Sequence, residues 1–364
     1  MATNQSGKRM LAFVGSYAGK ETSGIYVYEL DGETGGLTLL DEVSGYKNPS
    51  FLEIDPSRNR LYAIEEVSKE QTTKGSGGAA AFSIDPATGK LTALNRSGTT
   101  GVATCHIKLS GSGRYLAVAS YSGCQVGLLT VAEDGSIGKL ADIKEHSGSS
   151  VNKARQEKSH PHSVFFTPTD RYALVPDLGI DQIVAYRIDT ESDTLVRHGS
   201  TAASPGAGPR HLAIHSNGAF VYCINELNGT ITAYRYDEAA EGLLREIGTY
   251  PTLPEDFQGE STTAEVRISP NGGFLYGSNR GHDSIACYSI DRQSGALTLF
   301  DIVPSGGGHP RNFGISPDGR FLLAANRDGN NIVSFRIDEA TGRLSRTGQE
   351  TQASQPVCVQ IVRM

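Results

Sequence analysis

Four residues far apart in this 364-residue chain, His162, Arg210, Glu226 and Arg280, carry side chains suited to binding a small anion and moving protons. A guanidinium offers paired N–H donors that match a carboxylate or a phosphate. Imidazole titrates near neutrality and serves as a proton shuttle, and a neighbouring carboxylate would keep His162 basic. Glu226 is the carboxylate best placed for acid–base work. Arg311 and Arg327 add two more forks, enough to clamp an anion between neighbouring units of the chain. His211, Asn279 and Glu265 fall beside these positions, and Glu265 reads either as a substrate contact or as the structural partner of an arginine. His160 and His162 share one side of an extended segment, but no partner set with ligand spacing accompanies them, so no metal is expected. Serine-elbow, zinc-protease and phosphate-loop motifs are missing from the sequence.

What must bring these residues together is a repeat. Turns anchored at Pro56, Gly111, Pro168, Ser216, Pro270 and Pro317 recur at spacings of 55, 57, 48, 54 and 47 residues. Each separates two short runs rich in β-branched and aromatic residues, which predicts strands. A third run recurs seven times, from Ile25–Leu30 to Ile332–Ile337, and a fourth follows it. Units of four strands at this period predict an all-β chain, a seven-bladed β-propeller of four-stranded antiparallel blades. Only six first strands carry an anchor. The alternating run Val357–Val362 supplies the seventh, so the C-terminal strand is expected to complete the N-terminal blade and close the ring. Residues 1–9 read as a disordered tail and 10–364 as one propeller domain.

Antiparallel geometry puts the residue six before each anchor and the residue ten after it at one face. The first set is Ser50, Cys105, His162, Arg210, Ala264 and Arg311. The second is Glu66, Tyr121, Leu178, Glu226, Arg280 and Arg327. One residue further along lie His106, His211, Glu265 and Asn312, and Asn279 neighbours Arg280. The longest insertions, 67–78, 144–159 and 251–262, join strands at the same face, where long loops serve as lids. The charged, serine-rich 144–158 stretch reads as a mobile loop.

Net charge is −7, so bulk attraction to nucleic acid or membranes is not expected. No apolar run reaches the ~18 residues of a membrane helix. Five scattered cysteines without paired spacing read as free thiols in a reducing cytoplasm. Tryptophan is absent, against a WD-type repeat.

The segments Gly15-Ser16-Tyr17, His160-Pro161-His162, Gly208-Pro209-Arg210-His211, Asn225-Glu226-Leu227, Ala264-Glu265-Val266 and Ser278-Asn279-Arg280 resemble the seven-bladed lactonase family, over about 11–364. That family includes a cytosolic 6-phosphogluconolactonase and a fungal 3-carboxymuconate lactonizing enzyme. The resemblance implies an active-site set of His162, Arg210, Glu226 and Arg280 and no metal or organic cofactor. It implies hydrolysis of a sugar lactone, 6-phosphogluconolactone foremost. Glu226 or His162 would then be the base, Arg210 and Arg280 would face the oxyanion, and Arg311 and Arg327 would hold the phosphate. Cyclisation of a muconate-type acid is the alternative within the family, and a non-catalytic binding scaffold the alternative outside it. The expected partner is a small anionic lactone, taken by a monomer or weak homo-oligomer.

Overall fold

The computed structural model describes residues 9–68 and 77–364. Seven four-stranded antiparallel sheets stand around one axis. The first blade takes its innermost strand, Pro356–Arg363, from the C-terminus and pairs it with Met10–Ser16. Met10 faces Arg363 and Gly15 faces Cys358, so the ring closes by the predicted sheet pairing. Of the expected tail, residues 1–8 lie outside the described residues, and Arg9 pairs with Glu29.

Strand position dictates burial. Second strands such as Tyr115–Ser120 and Phe220–Asn225 are buried at every residue, because both faces meet neighbouring blades. Outer strands such as Leu344–Gln352 are mostly exposed. Second-strand tyrosines latch adjacent blades. Tyr62, Tyr222 and Tyr276 donate their hydroxyls to the carbonyls of Gly135, Gly295 and Gly342 in the next blade's outer turn. A buried phenol needs such an acceptor, and its ring fills the space between sheets.

Two local devices aim side chains at the axis. The residue two before the first ring position is left-handed in five blades: Asn48, Ala103, Gly208, His309 and Gln355 have φ between 41° and 65°. Its carbonyl accepts the N–H of the second-strand tip, as Gly208 does from Glu226 at 2.7 Å and Gln355 from Tyr17 at 3.1 Å. Immediately after, the register slips by a residue, between Thr104 and His106, Pro209 and His211, and Pro310 and Asn312. The extra residues are Cys105, Arg210 and Arg311. Such bulges re-aim a side chain and gather near functional sites. They let Arg210 and His211 both face the channel, where strict alternation would send one of them away.

Gly208 meets two demands at once. Its φ is 65°, and a Cβ there would lie 2.6 Å from Leu227 Cγ. Gly208→Ala is therefore expected to cost about 1–3 kcal/mol in denaturant unfolding. An unchanged midpoint would contradict this account of the turn.

Candidate active site

Five residues predicted from the six-before offset, Ser50, Cys105, His162, Arg210 and Arg311, line one narrow axial cleft of about 10 Å³, with His211 and Asn312 beneath. Glu226 reaches the same point from its strand tip. Its Oε2 accepts Arg210 Nε at 2.9 Å and lies 2.9 Å from an Arg280 terminal nitrogen. His162 Nε2 stands 3.9 Å from the same oxygen. The other carboxylate oxygen takes Arg155 at 2.5 Å. The two deep arginines are fixed further by backbone: Arg210 donates to Ala264 O and Arg280 to Thr263 O, both at 2.6 Å.

This cage sets the ionisation of every member. Burial alone would raise the Glu226 carboxyl, but Arg280, Arg210 and Arg155 together hold it well below the usual carboxylate range. Burial lowers the Arg210 guanidinium to about 9, and Arg280 and Arg311 push the same way. His162 is pushed far down by burial and then by Arg210 and His211, so it stays neutral. The neighbouring carboxylate does not keep it basic as the sequence suggested, because desolvation and three arginines outweigh one anion.

The remaining predicted residues divide into two groups. Arg311 stays at the mouth, half-buried, its guanidinium 5.6 Å from the Tyr17 ring centre. Its charge is held on by Tyr17, Glu66 and Glu226 against the effect of burial. Arg327 sits at the rim and turns outward to Asp328, 2.6 Å away, and to His309. Asn279 is fully buried and spends its amide on Thr252 O and Ser284 Oγ. His211 and Glu265 lie one layer down, where His211 Nδ1 is 3.4 Å from a Glu265 oxygen and Asn312 donates to Glu265. With Phe51 and His106 they separate the cleft from a cavity of about 230 Å³ toward the opposite face, bordered by Glu53, Lys108 and Arg267. His160 turns to Glu157 and stacks on Tyr121, with centroids 4.2 Å apart.

Two residues of the cluster were given no role from the sequence. Tyr17 occupies the tip position equivalent to Glu226 in the first blade, and carrying the repeat through that blade would have found it. Arg155 comes from the 144–159 insertion, where the repeat defines no equivalent position in other blades. That insertion, read as mobile, is tightly tied (Ser150 to Asp181, Gln156 to Leu178 O, Ser159 to His146 O). The 67–78 insertion lies mostly outside the described residues.

The burial of neutral His106, His162 and His211 gives a prediction about acid. All three imidazoles titrate below their ordinary value when folded, His211 at about 4. The unfolded chain therefore binds more protons once the pH drops below about 6.5, and stability falls from there toward the folded values. Melting temperature should decline between pH 7 and pH 5. A flat or rising profile would contradict burial of neutral imidazoles.

The sequence model of the seven-bladed β-propeller lactonases matches residues 11–361. This chain belongs to that family. It is 34% identical over 305 residues to the 6-phosphogluconolactonase of Bacillus subtilis, spanning 84% of each protein. It is 38% identical over 309 residues to that of Formosa agariphila, spanning 83% of this chain and 85% of the relative. The solved periplasmic gluconolactonase of Pseudomonas aeruginosa superposes with a TM-score of 0.90 at 30% identity, covering 98% of this chain and 99% of the other. The chain is thus an enzyme of the lactonase class. No helix among its described residues is long and apolar enough to cross a membrane.

Proposed function

We propose that this lactonase hydrolyses a sugar lactone, 6-phosphogluconolactone foremost, at the cage around Glu226. The observation that carries the reading is a buried imidazole, His162, set 3.9 Å from a carboxylate that three arginines surround. The names of the Bacillus and Formosa relatives point to the same substrate.

The roles follow from charge. Glu226 is too well stabilised as an anion to take a proton readily. His162 is neutral, and its Nδ1 has no hydrogen-bond partner. With the N–H on Nε2 toward Glu226, the buried Nδ1 keeps a free lone pair, which would act on a water that enters the cleft with the substrate. Water attacks the lactone carbonyl, and His162 accepts the proton. The imidazolium so formed gains the Glu226 carboxylate, as in a His–carboxylate dyad. Arg210 and Arg280 face the oxyanion with donors already fixed by backbone carbonyls, so they need little reorganisation. The ring C–O bond then breaks, and His162 returns the proton to the leaving oxygen. The product acid loses its own proton to solvent.

Four guanidiniums (Arg155, Arg210, Arg280 and Arg311) meet two carboxylates, Glu66 and Glu226, which leaves two positive charges at the mouth. A phosphorylated lactone matches that surplus, whereas an apolar partner surface would not. The five free thiols fit a reducing cytoplasm. The test is a pH-indicator assay over a panel of phosphorylated and plain sugar lactones and a muconolactone, corrected for spontaneous opening. Fastest turnover of the phosphorylated sugar lactone is expected, and preference for the muconolactone would favour the cyclising branch. No enhancement on any member would sink the reading.

A further inference from the structure

Arg155 differs from the other arginines of the cage. Arg210 and Arg280 have side chains only 2% and 7% exposed, and each is anchored to a backbone carbonyl. The Arg155 side chain is 40% exposed and comes from outside the blades. Among the described residues its guanidinium bonds to Glu226 and, at 3.4 Å, to the Tyr121 hydroxyl. The axial cleft that Arg210 lines, about 10 Å³, leaves little space for a substrate.

Its backbone, in contrast, is fixed. The Asn152 side chain accepts the N–H groups of Ala154 and Arg155 at 3.1 and 3.2 Å. Gln156, fully buried, donates to Leu178 O and accepts from Asn152 N. At the loop's base His146 bridges Asp177 at 2.7 Å and the Tyr186 hydroxyl at 2.8 Å. A rigid base under an exposed guanidinium leaves the side chain as the part that moves.

We propose that Arg155, with the Tyr121 hydroxyl, is the phosphate handle of the site, exchanging Glu226 for the phosphate group as the substrate enters. This rests on the lactonase reading for its substrate class. Unlike Arg210 and Arg280, Arg155 leaves no backbone acceptor behind when it turns. A phosphomonoester carries close to two negative charges at neutrality and accepts a bidentate fork. Glu226 keeps Arg210 and Arg280 when Arg155 departs, so it stays ionised beside His162. Exchange therefore opens the cleft and retains the charges the reaction uses. Of the two arginines the sequence suggested for this task, Arg327 is already committed to Asp328, and Arg311 stands against the Tyr17 ring.

Calorimetric titration with 6-phosphogluconate and with gluconate tests this apart from turnover. Wild type should bind the phosphorylated acid about 10–100-fold more tightly, the range for charged hydrogen bonds. Arg155→Ala should collapse that ratio to about one, and Arg155→Lys should retain part of it, since a point charge replaces the fork. A wild type without preference, or an Arg155→Ala protein that keeps it, would overturn the proposal. So would loss of the preference in Arg327→Ala alone. An Arg155-dependent preference in a protein that opens no lactone would uphold the handle and sink the hydrolysis reading instead.

Discussion

Glu226→Gln should lower kcat for the phosphorylated sugar lactone by about 10²–10⁴-fold, the usual span for a positioned acid–base group, with little change in KM. The substitution keeps the shape and removes the charge. His162 would then have to take its proton with cations around it and no anion beside it. Arg210 and Arg280 would also lose their common partner in a buried site, so a stability loss should accompany the kinetic one. Breaking a buried pair costs about 3–5 kcal/mol, and retained backbone bonds from both arginines reduce that here. Melting curves separate the effects. A folded variant with wild-type kcat would remove Glu226 from the chemistry.

Arg280→Met should cost about 10²–10³-fold in kcat, the loss found when one preorganised oxyanion donor is removed. Methionine fills much of the same volume, so the lost groups are the donors to Glu226 and Thr263 O. A second consequence follows from the charge. Arg280 is the leading attractive influence on the Glu226 carboxyl. Without it Glu226 protonates at a higher pH, and the acid limb of kcat/KM should move upward. A variant with reduced kcat and an unmoved limb would mean that Arg280 acts only on the substrate. An unchanged kcat would exclude it from oxyanion stabilisation.

The fold was legible because a propeller writes its architecture into spacing. Turn anchors and seven third strands fixed the blade count, and the unmatched C-terminal run implied the closing pair. The same offsets brought His162, Arg210, Glu226 and Arg280 to one mouth. Offsets locate a backbone position and do not fix where a side chain turns. Asn279 thus occupies a ring position yet spends its amide on the loop carbonyl of Thr252, and Arg327 leans outward to Asp328. Arg155 was invisible for another reason: it stands in an insertion, where a repeat carries no information. The ionisation of His162 escaped as well, because burial and the summed field of three arginines are tertiary properties.

The most direct test of the central claim is ring opening of 6-phosphogluconolactone followed side by side for wild type and folded Glu226→Gln, each corrected for spontaneous opening. The Glu226 cage predicts strong enhancement by wild type and loss of at least about 100-fold of it in the variant. Equal rates for the two proteins, or a wild-type rate no faster than buffer, would contradict it.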